Sequence, residues 1–506
     1  MSATALLVYL ASIKLLIPLV TSSDFGFHRD EFLYLAMGEH LSWGYLEVPP
    51  LTAIFAKIVS SLLGGSLVAV RLFPSIIGGL TLILTGLITR ELGGGRFAQV
   101  LAGVSYLCSV VYLRINLLFQ PVSFDLFCFV LGVYLLIRIL KRSEPRLWIM
   151  LGVVTGLGLL NKYSMLLFAF GAVVGLLLSS RRHLLKSGWP WLAAAIALLV
   201  VLPNLIWQSA QGWPFLEHMR VLSESQLAHV EPAGFILTQL LMYLFAGPVW
   251  LIGLYFYLKA GEGREFRAIG WMYVSLFLVL LFLSGKAYYL APAYPMLFAG
   301  GALTIERYVH RTARTWMKPA LLGFIVLGGV IVLPVGIPFL SQESAIRYFD
   351  FASRNMGMEE ALRWETGDIH VLPQDYADML GWEELAATVA ENYAALTADE
   401  RERCTVFAAN YGAAGTLQYY ADRYGLPSVI SQSGSNWLWG YGDSSGEILI
   451  TVGFEREYLE RIYDTVAPGI PFTHPHARES GIPIYLVRDP IESLADIWTH
   501  LKAYRY

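Results

Sequence analysis

Two adjacent carboxylates, Asp30 and Glu31, stand in the stretch HRDEFLYLAMGEHLSWGYLEVPP, just after the first long apolar run of the chain. His28 and Arg29 precede them. A carboxylate in such a place can take the proton of a reacting hydroxyl. On a helix, neighbouring side chains point about 100° apart, so the two acids cannot serve one atom. One is then available to face a reacting centre while the other pairs with His28, Arg29 or a loop. The simpler reading is a solvated first helical turn, where acidic residues favour the helix dipole.

A second set of residues is cationic and phenolic. Lys162 lies in LLNKYS, and Lys286, Tyr288, Tyr289 and Tyr294 lie in SGKAYYLAPAYP; Arg71 stands near the start of another apolar run. Each alone suits an interfacial anchor, because Lys and Tyr favour that depth. Together, facing a carboxylate, they suit a phosphate leaving group whose charge Lys neutralises and to which Tyr donates. Asp125, in QPVSFDLFCF, either pairs with Arg114 or orients a ligand. Glu47, in GYLEVPP, is a turn carboxylate or a metal ligand, and His218 and His229 are loop histidines that could also ligate. Cys108, Cys128 and Cys404 are scattered without a CxxC spacing, so cysteine chemistry is set aside.

The elements that must hold these residues are membrane helices. The chain has 506 residues, of which 56% are hydrophobic and only 15% charged. A water-soluble domain is nearer a quarter charged, so a membrane protein is expected. Spans need about 20 apolar residues. Eleven runs qualify, at 4–20, 67–89, 97–113, 119–138, 147–161, 163–180, 189–207, 234–258, 268–284, 287–305 and 319–340. The first lacks a basic flank and a small-residue cleavage site, so it reads as a span rather than a leader.

With a cytoplasmic N-terminus, the connections on that side hold 16 Lys and Arg and the opposite side holds seven. The positive-inside rule then puts Asp30, Lys162, Lys286 and Arg71 on the outer face. The first outer loop, 21–66, carries two amphipathic stretches, RDEFLYLAMGEHLSWG and LTAIFAKIVSSLLG, too short to cross and suited to interfacial helices.

Residues 1–344 carry a net +9 and residues 345–506 a net −12, which marks two kinds of object. In the second, CTVFAANY, PSVISQS, GEILITVGF and IPIYLVRD read as strands, with GTLQYYADRYG, EREYLERIYDTV and IESLADIWTHLKAY as helices. The predicted organisation is a polytopic helical domain over 1–344 and an extracytoplasmic α/β domain over 345–506. NYGAAG is too short a glycine signal for phosphate binding. Trp437, Trp439 and Tyr441 suit core packing or sugar stacking.

Taken together, HRDEFLYLAMGEHLSWGYLEVPPL, LLNKYS and SGKAYYLAPAYPMLFAGGA resemble the family 39 glycosyltransferases, the bacterial branch related to protein O-mannosyltransferases and lipid A aminoarabinose transferases. The resemblance implies a GT-C fold with about 11 transmembrane helices in the bacterial inner membrane. It implies inverting transfer of a sugar from a polyprenyl-phosphate carrier to a lipid, protein or glycan acceptor at the outer face, with membrane lipids and no nucleic acid as surroundings. Asp30 would be the general base, Glu31 its partner, and Lys162, Lys286, Tyr288, Tyr289 and Arg71 the phosphate site, with His28, Arg29 and Asp125 in support. The branch's metal-associated Glu falls on Glu47, with His218 a second candidate for a divalent ion. Val48 follows where the branch has Lys, which weakens the metal reading. Two other classes fit the composition: a lipid-linked-sugar transporter or flippase, and a membrane-anchored glycan-binding protein. A transporter would carry paired charges at the bilayer midplane and repeated halves; neither is visible in the sequence.

Overall fold

The computed structural model describes residues 2–21, 24–142, 144–225 and 231–501; His229 lies outside them. Each predicted span coincides with helix, and the departures have local causes. The run 97–113 breaks into Arg96–Cys108 and Val110–Ile115 at Ser109, whose backbone is extended and whose hydroxyl donates to the Ser105 carbonyl at 2.6 Å. The run 234–258 is a bent pair, Pro232–Met242 and Leu244–Leu258, turning by 75°. Pro248 in the first turn of the second piece cannot continue a helix from the preceding residues. The run 287–305 opens as a 3-10 helix, Ala287–Ala293, before Tyr294–Thr312.

Among the described residues five helices are long and apolar enough to cross a membrane: Ala3–Val20, Leu67–Glu91, Pro121–Arg142, Gly188–Ala210 and Arg264–Phe282. The bent pair makes a sixth. Pro145–Asn161, Met165–Leu177 and Met317–Ile331 are shorter apolar helices, so the expected eleven spans are not all met by length. The chain is a multi-pass membrane protein in which short and broken helices stand beside full-length ones.

The first loop folds as read, into helices Arg29–Glu39 and Leu51–Leu63. His28 caps the first of these. Its Nδ1 accepts from the Asp30 N–H at 3.2 Å, and the Glu31 carboxylate accepts from the His28 N–H at 2.8 Å, closing a capping box.

The C-terminal part carries a five-stranded sheet: β1 Cys404–Ala408, β2 Val429–Ser431, β3 Ile448–Val452, β4 Tyr463–Pro468 and β5 Ile484–Pro490. Their order is β2-β1-β3-β5-β4, with β2, β1 and β3 parallel and β5 and β4 antiparallel to their neighbours. The predicted helix over EREYLERIYDTV is corrected: only Arg456–Leu459 is helical, residues 460–462 form a turn, and β4 begins at Tyr463. Of the other two predicted helices, GTLQYYADRYG up to its last glycine lies within Tyr411–Tyr424, and IESLADIWTHLKAY is helical over Leu494–Trp498, its residues from 502 on lying outside the described ones.

The two parts share one hydrophobic core. Phe25, Phe27 and Phe32 of the first loop pack in the same buried cluster as Phe349, Tyr376, Trp382 and Leu417 of the C-terminal part. Burying a side chain of this size contributes about 1.5–3 kcal/mol, so the contact is a structural commitment and not a tether. Backbone bonds stitch it: the Gly26 N–H donates to the Met379 carbonyl at 3.0 Å and the Arg29 N–H to that of Asp378 at 3.1 Å. The charge division at residue 345 therefore does not separate two independent bodies.

Candidate active site

The capping box turns Glu31 inward and leaves Asp30 on the next face. Glu31 is fully buried. Its carboxylate accepts from Arg71 Nε at 3.2 and 3.3 Å and Nη2 at 2.9 Å, from the Phe119 N–H at 2.9 Å, and from the His28 N–H at 2.8 Å. Burial alone would raise its pKa, but Arg71 and these backbone donors outweigh it and hold the carboxyl below the ordinary carboxylate range. Arg71 is itself fully buried, and its Nη2 also donates to the Gly26 carbonyl at 2.8 Å. The expectation that Arg71 meets a phosphate is thus corrected: its charge is spent on Glu31.

Asp30 is different. Its side chain is 28% exposed. Oδ1 accepts from the Tyr411 hydroxyl at 2.7 Å and Oδ2 from Gln120 Nε2 at 2.9 Å. Phe119 and Gln120 therefore read the two acids in turn, the first with its backbone and the second with its side chain. Neither Gln120 nor Tyr411 stood out in the sequence, because their partners are 90 and 381 residues away.

Around Asp30 lie phenols. Tyr34, Tyr288 and Tyr411 are all within electrostatic reach of its charge, and Tyr34 also feels Glu47 and Tyr289. Lys162, at the C-cap of the helix Pro145–Asn161, holds its ammonium over the rings of Tyr288 and Tyr289, at 5.4 and 5.1 Å from their centroids. Tyr289, Asp125 and Ser164 line one small cavity beside Leu276 and Pro292. Asp125 is buried, and the Lys162 charge acts on it. The pairing with Arg114 does not form, since Arg114 Nε donates to Asp375 at 2.8 Å.

Lys286 joins a different contact. Its ammonium donates to Glu365 of the C-terminal part at 3.0 Å. The Glu365 N–H donates to the Gln374 side-chain carbonyl at 2.7 Å, and Gln374 Nε2 returns to Glu365 at 3.3 Å. Burial would raise the Glu365 pKa, yet Lys286 and Gln374 bring it below the ordinary value. Of the expected phosphate residues, then, Lys162 comes together with Tyr288 and Tyr289, of which Tyr288 is within reach of the Asp30 charge, Lys286 is engaged by Glu365, and Arg71 is withdrawn.

His28 and Arg29 brace the loop. Arg29 lies over the Tyr411 ring at 4.5 Å and within 3.9 Å of Glu479. His28 Nε2 lies 3.7 Å from both Asp375 and Asp378. Among the described residues these three form the one cluster with the spacing of a metal site. Asp375 is already bonded to Arg114 and Asp378 to Arg478 at 3.1 Å, so the cluster is a charge-balanced network.

Neither Glu47 nor His218 belongs to that cluster. Glu47 accepts from the Ser435 N–H at 2.9 Å and from the Ser435 hydroxyl, and burial raises its pKa against those bonds. Both of its oxygens are committed to protein donors, and His218 stands on a separate helix, Pro214–Ser225. The residues present do not fit a divalent ion held by this pair.

The aromatic residues of SNWLWGYGD also resolve. Trp437 and Trp498 exchange side-chain-to-backbone hydrogen bonds and Tyr441 packs edge-on against Trp498, whereas Trp439 stacks on His40 of the first loop at 4.2 Å.

Comparison with known proteins gives partial likenesses in sequence and a likeness in fold over nearly the whole chain. Residues 47–207 match the model described as dolichyl-phosphate-mannose-protein mannosyltransferase, a stretch that includes Glu47, Arg71, Asp125 and Lys162. The match covers 161 of the 506 residues, and over that stretch the chain is similar to this family. It is 27% identical over 183 residues to the lipopolysaccharide core galacturonosyltransferase RgtA of Rhizobium johnstonii, an alignment covering 35% of this chain and 36% of that protein. The fold is similar to ArnT from Cupriavidus metallidurans in the apo state, with a TM-score of 0.62, 13% identity, and 95% and 97% of the two chains covered. The same protein bound to undecaprenyl phosphate gives a TM-score of 0.56 at 13% identity over the same shares. The GT-C expectation thus holds across nearly the whole chain, C-terminal part included.

Proposed function

We propose that this protein transfers a sugar from a polyprenyl-phosphate carrier to an acceptor hydroxyl, with inversion, at the extracytoplasmic face of a bacterial inner membrane. The observation that carries this reading is the contrast within one acidic pair. Glu31 is neutralised and sealed, whereas Asp30 is held by two donors, remains reachable, and acts on Tyr34 and on Tyr288, over whose ring Lys162 lies. ArnT, which has this fold, binds undecaprenyl phosphate, which supports a lipid-linked donor here. The likeness to RgtA supports a galacturonate donor and a lipopolysaccharide core acceptor as the first pair to try.

In the proposed step the acceptor oxygen attacks the anomeric carbon from the side opposite the phosphate. Its O–H bond breaks and the proton passes to Asp30 as the new C–O bond forms. The bond from the anomeric carbon to the phosphate oxygen breaks, and its electron pair leaves with the phosphate. Lys162, with hydrogen bonds from Tyr288 and Tyr289, stabilises the charge that develops there. One carboxylate suffices, in contrast to retaining hydrolysis, which needs a second as nucleophile. The positive-inside asymmetry supports the outer face for this chemistry.

The test is turnover of undecaprenyl-phosphate galacturonate, mannose and aminoarabinose by the purified full-length chain with lipopolysaccharide core as acceptor. Asp30→Asn is expected to lower transfer by about 10²- to 10⁴-fold, the usual range for loss of a general base. Full activity in that variant sinks the base assignment, and no turnover of any of these donors by the wild type sinks the carrier assignment.

A further inference from the structure

The C-terminal part does more than cover the bundle. We propose that Tyr411 is a positioning residue for Asp30, so that the reactive carboxylate is set by two segments far apart in the chain. The proposal rests on the reading of Asp30 as general base.

The argument begins with hydrogen-bond capacity. A phenol has one O–H to give, and that of Tyr411 goes to Asp30 Oδ1 at 2.7 Å, within the short range of a bond to an ionised oxygen. Gln120 Nε2 gives one proton to Oδ2 at 2.9 Å. With one donor on each oxygen the carboxylate plane is fixed, yet each oxygen keeps a further lone pair for an incoming hydroxyl. A base set in this way loses little orientational freedom when the acceptor arrives, and small misplacements of reacting groups cost large factors in rate.

The seat of Tyr411 is built to be rigid. The residue is 8% exposed and opens the helix Tyr411–Tyr424, whose cap is Asn410, accepting from the Ala413 N–H at 2.9 Å. Arg29 stacks on its ring. The glycines of NYGAAG serve close approach: a Cβ on Gly412 would lie 3.0 Å from Trp382 and one on Gly415 2.9 Å from the Phe32 Cβ. This helix thereby rests directly on the helix Arg29–Glu39 that bears Asp30. The glycine pattern belongs to helix packing, not to a phosphate loop.

A latch between the two parts would be the plainer role for Tyr411, and the surroundings argue against it. The backbone bonds at Gly26 and Arg29, the Tyr419 hydroxyl on the Gly65 carbonyl at 2.7 Å, and Ser435 on Glu47 already join them. Removing one further hydroxyl leaves that seam intact while freeing Asp30 Oδ1.

The experiment compares full-length wild type, Tyr411→Phe, Asp30→Asn and the double variant, with whichever of the three undecaprenyl-phosphate sugars the wild type turns over. Tyr411→Phe is expected to lower kcat by about 10- to 100-fold, the worth of a hydrogen bond to a charged group, with donor KM within about twofold and an unchanged melting temperature. The double variant is expected to be no slower than Asp30→Asn, since the hydroxyl acts through that carboxylate. A wild-type kcat in Tyr411→Phe beside an inactive Asp30→Asn overturns the positioning role alone. A loss of kcat together with a lowered melting temperature and a raised KM overturns it in favour of a latch. An active Asp30→Asn, or no donor turned over by the wild type, overturns the reading underneath.

Discussion

Asp30 and Glu31 are one peptide bond apart and live in opposite environments. Glu31 faces the bundle, where Arg71, two backbone N–H groups and complete burial leave it no spare capacity. Asp30 faces the seam with the C-terminal part, where two neutral donors hold it and part of its surface stays open. A charge paired inside a protein is structural, and a charge left uncompensated but oriented is available for chemistry. A rotation of about 100° along the helix decides which acid is which.

The contrast is sharpest if each acid is neutralised in turn. Asp30→Asn is expected to take the activity and keep the fold. Glu31→Gln breaks a buried ion pair, which typically costs about 3–5 kcal/mol, and is expected to lower the melting temperature before any kinetic effect is resolved. Wild-type melting in that variant would refute the division of labour. The sign with pH follows. The Glu31 pKa is depressed in the folded state, so its contribution is complete above its ordinary value of 4.5 and is lost as pH falls below it. The Glu31→Gln variant should show that much less acid destabilisation between pH 5 and 3.

A smaller effect separates the two lysines. Lys162 has ring faces beneath it, whereas Lys286 has a carboxylate partner. Lys162→Ala is expected to raise donor KM about tenfold, close to one charge-assisted hydrogen bond. Lys286→Ala should change it by less than about threefold, because the Glu365 charge already offsets that ammonium. Equal effects would mean that the Lys286–Glu365 pair opens for the donor. The smallest expected effect is that of Ser435→Ala, which removes one of the two donors on Glu47 and should leave donor KM unchanged while lowering stability by about 1 kcal/mol.

The membrane helices were legible because burial in lipid requires long apolar runs, and the runs mark themselves. What could not be read were their interruptions at Ser109 and ahead of Pro248, where one residue redirects the chain. Four of the five strands were legible as short apolar stretches. β4 was not, since it is an edge strand paired only with β5, and Arg456 and Glu460 just before it form the i,i+4 pair of a helix. The acidic pair was legible by type and adjacency, and even the asymmetry between its members follows from helix geometry. Its partners were not: Arg71, Gln120, Tyr411 and, for Glu47, Ser435 are joined to it by tertiary packing that leaves no trace in spacing. The same holds for Lys286, whose salt bridge to Glu365 joins residues 79 apart.

The pairing of Tyr411 with Asp30 and of Ser435 with Glu47, 381 and 388 residues apart, also orders events in time. A ribosome that has made residues 1–344 has supplied both acids, both lysines and the tyrosine pair. Asp30 nevertheless lacks one of its two donors, and the aromatic face around Phe32 lacks its cover, until residue 411 and its helix have been synthesised and seated. The setting of Asp30 is therefore completed only at the close of assembly.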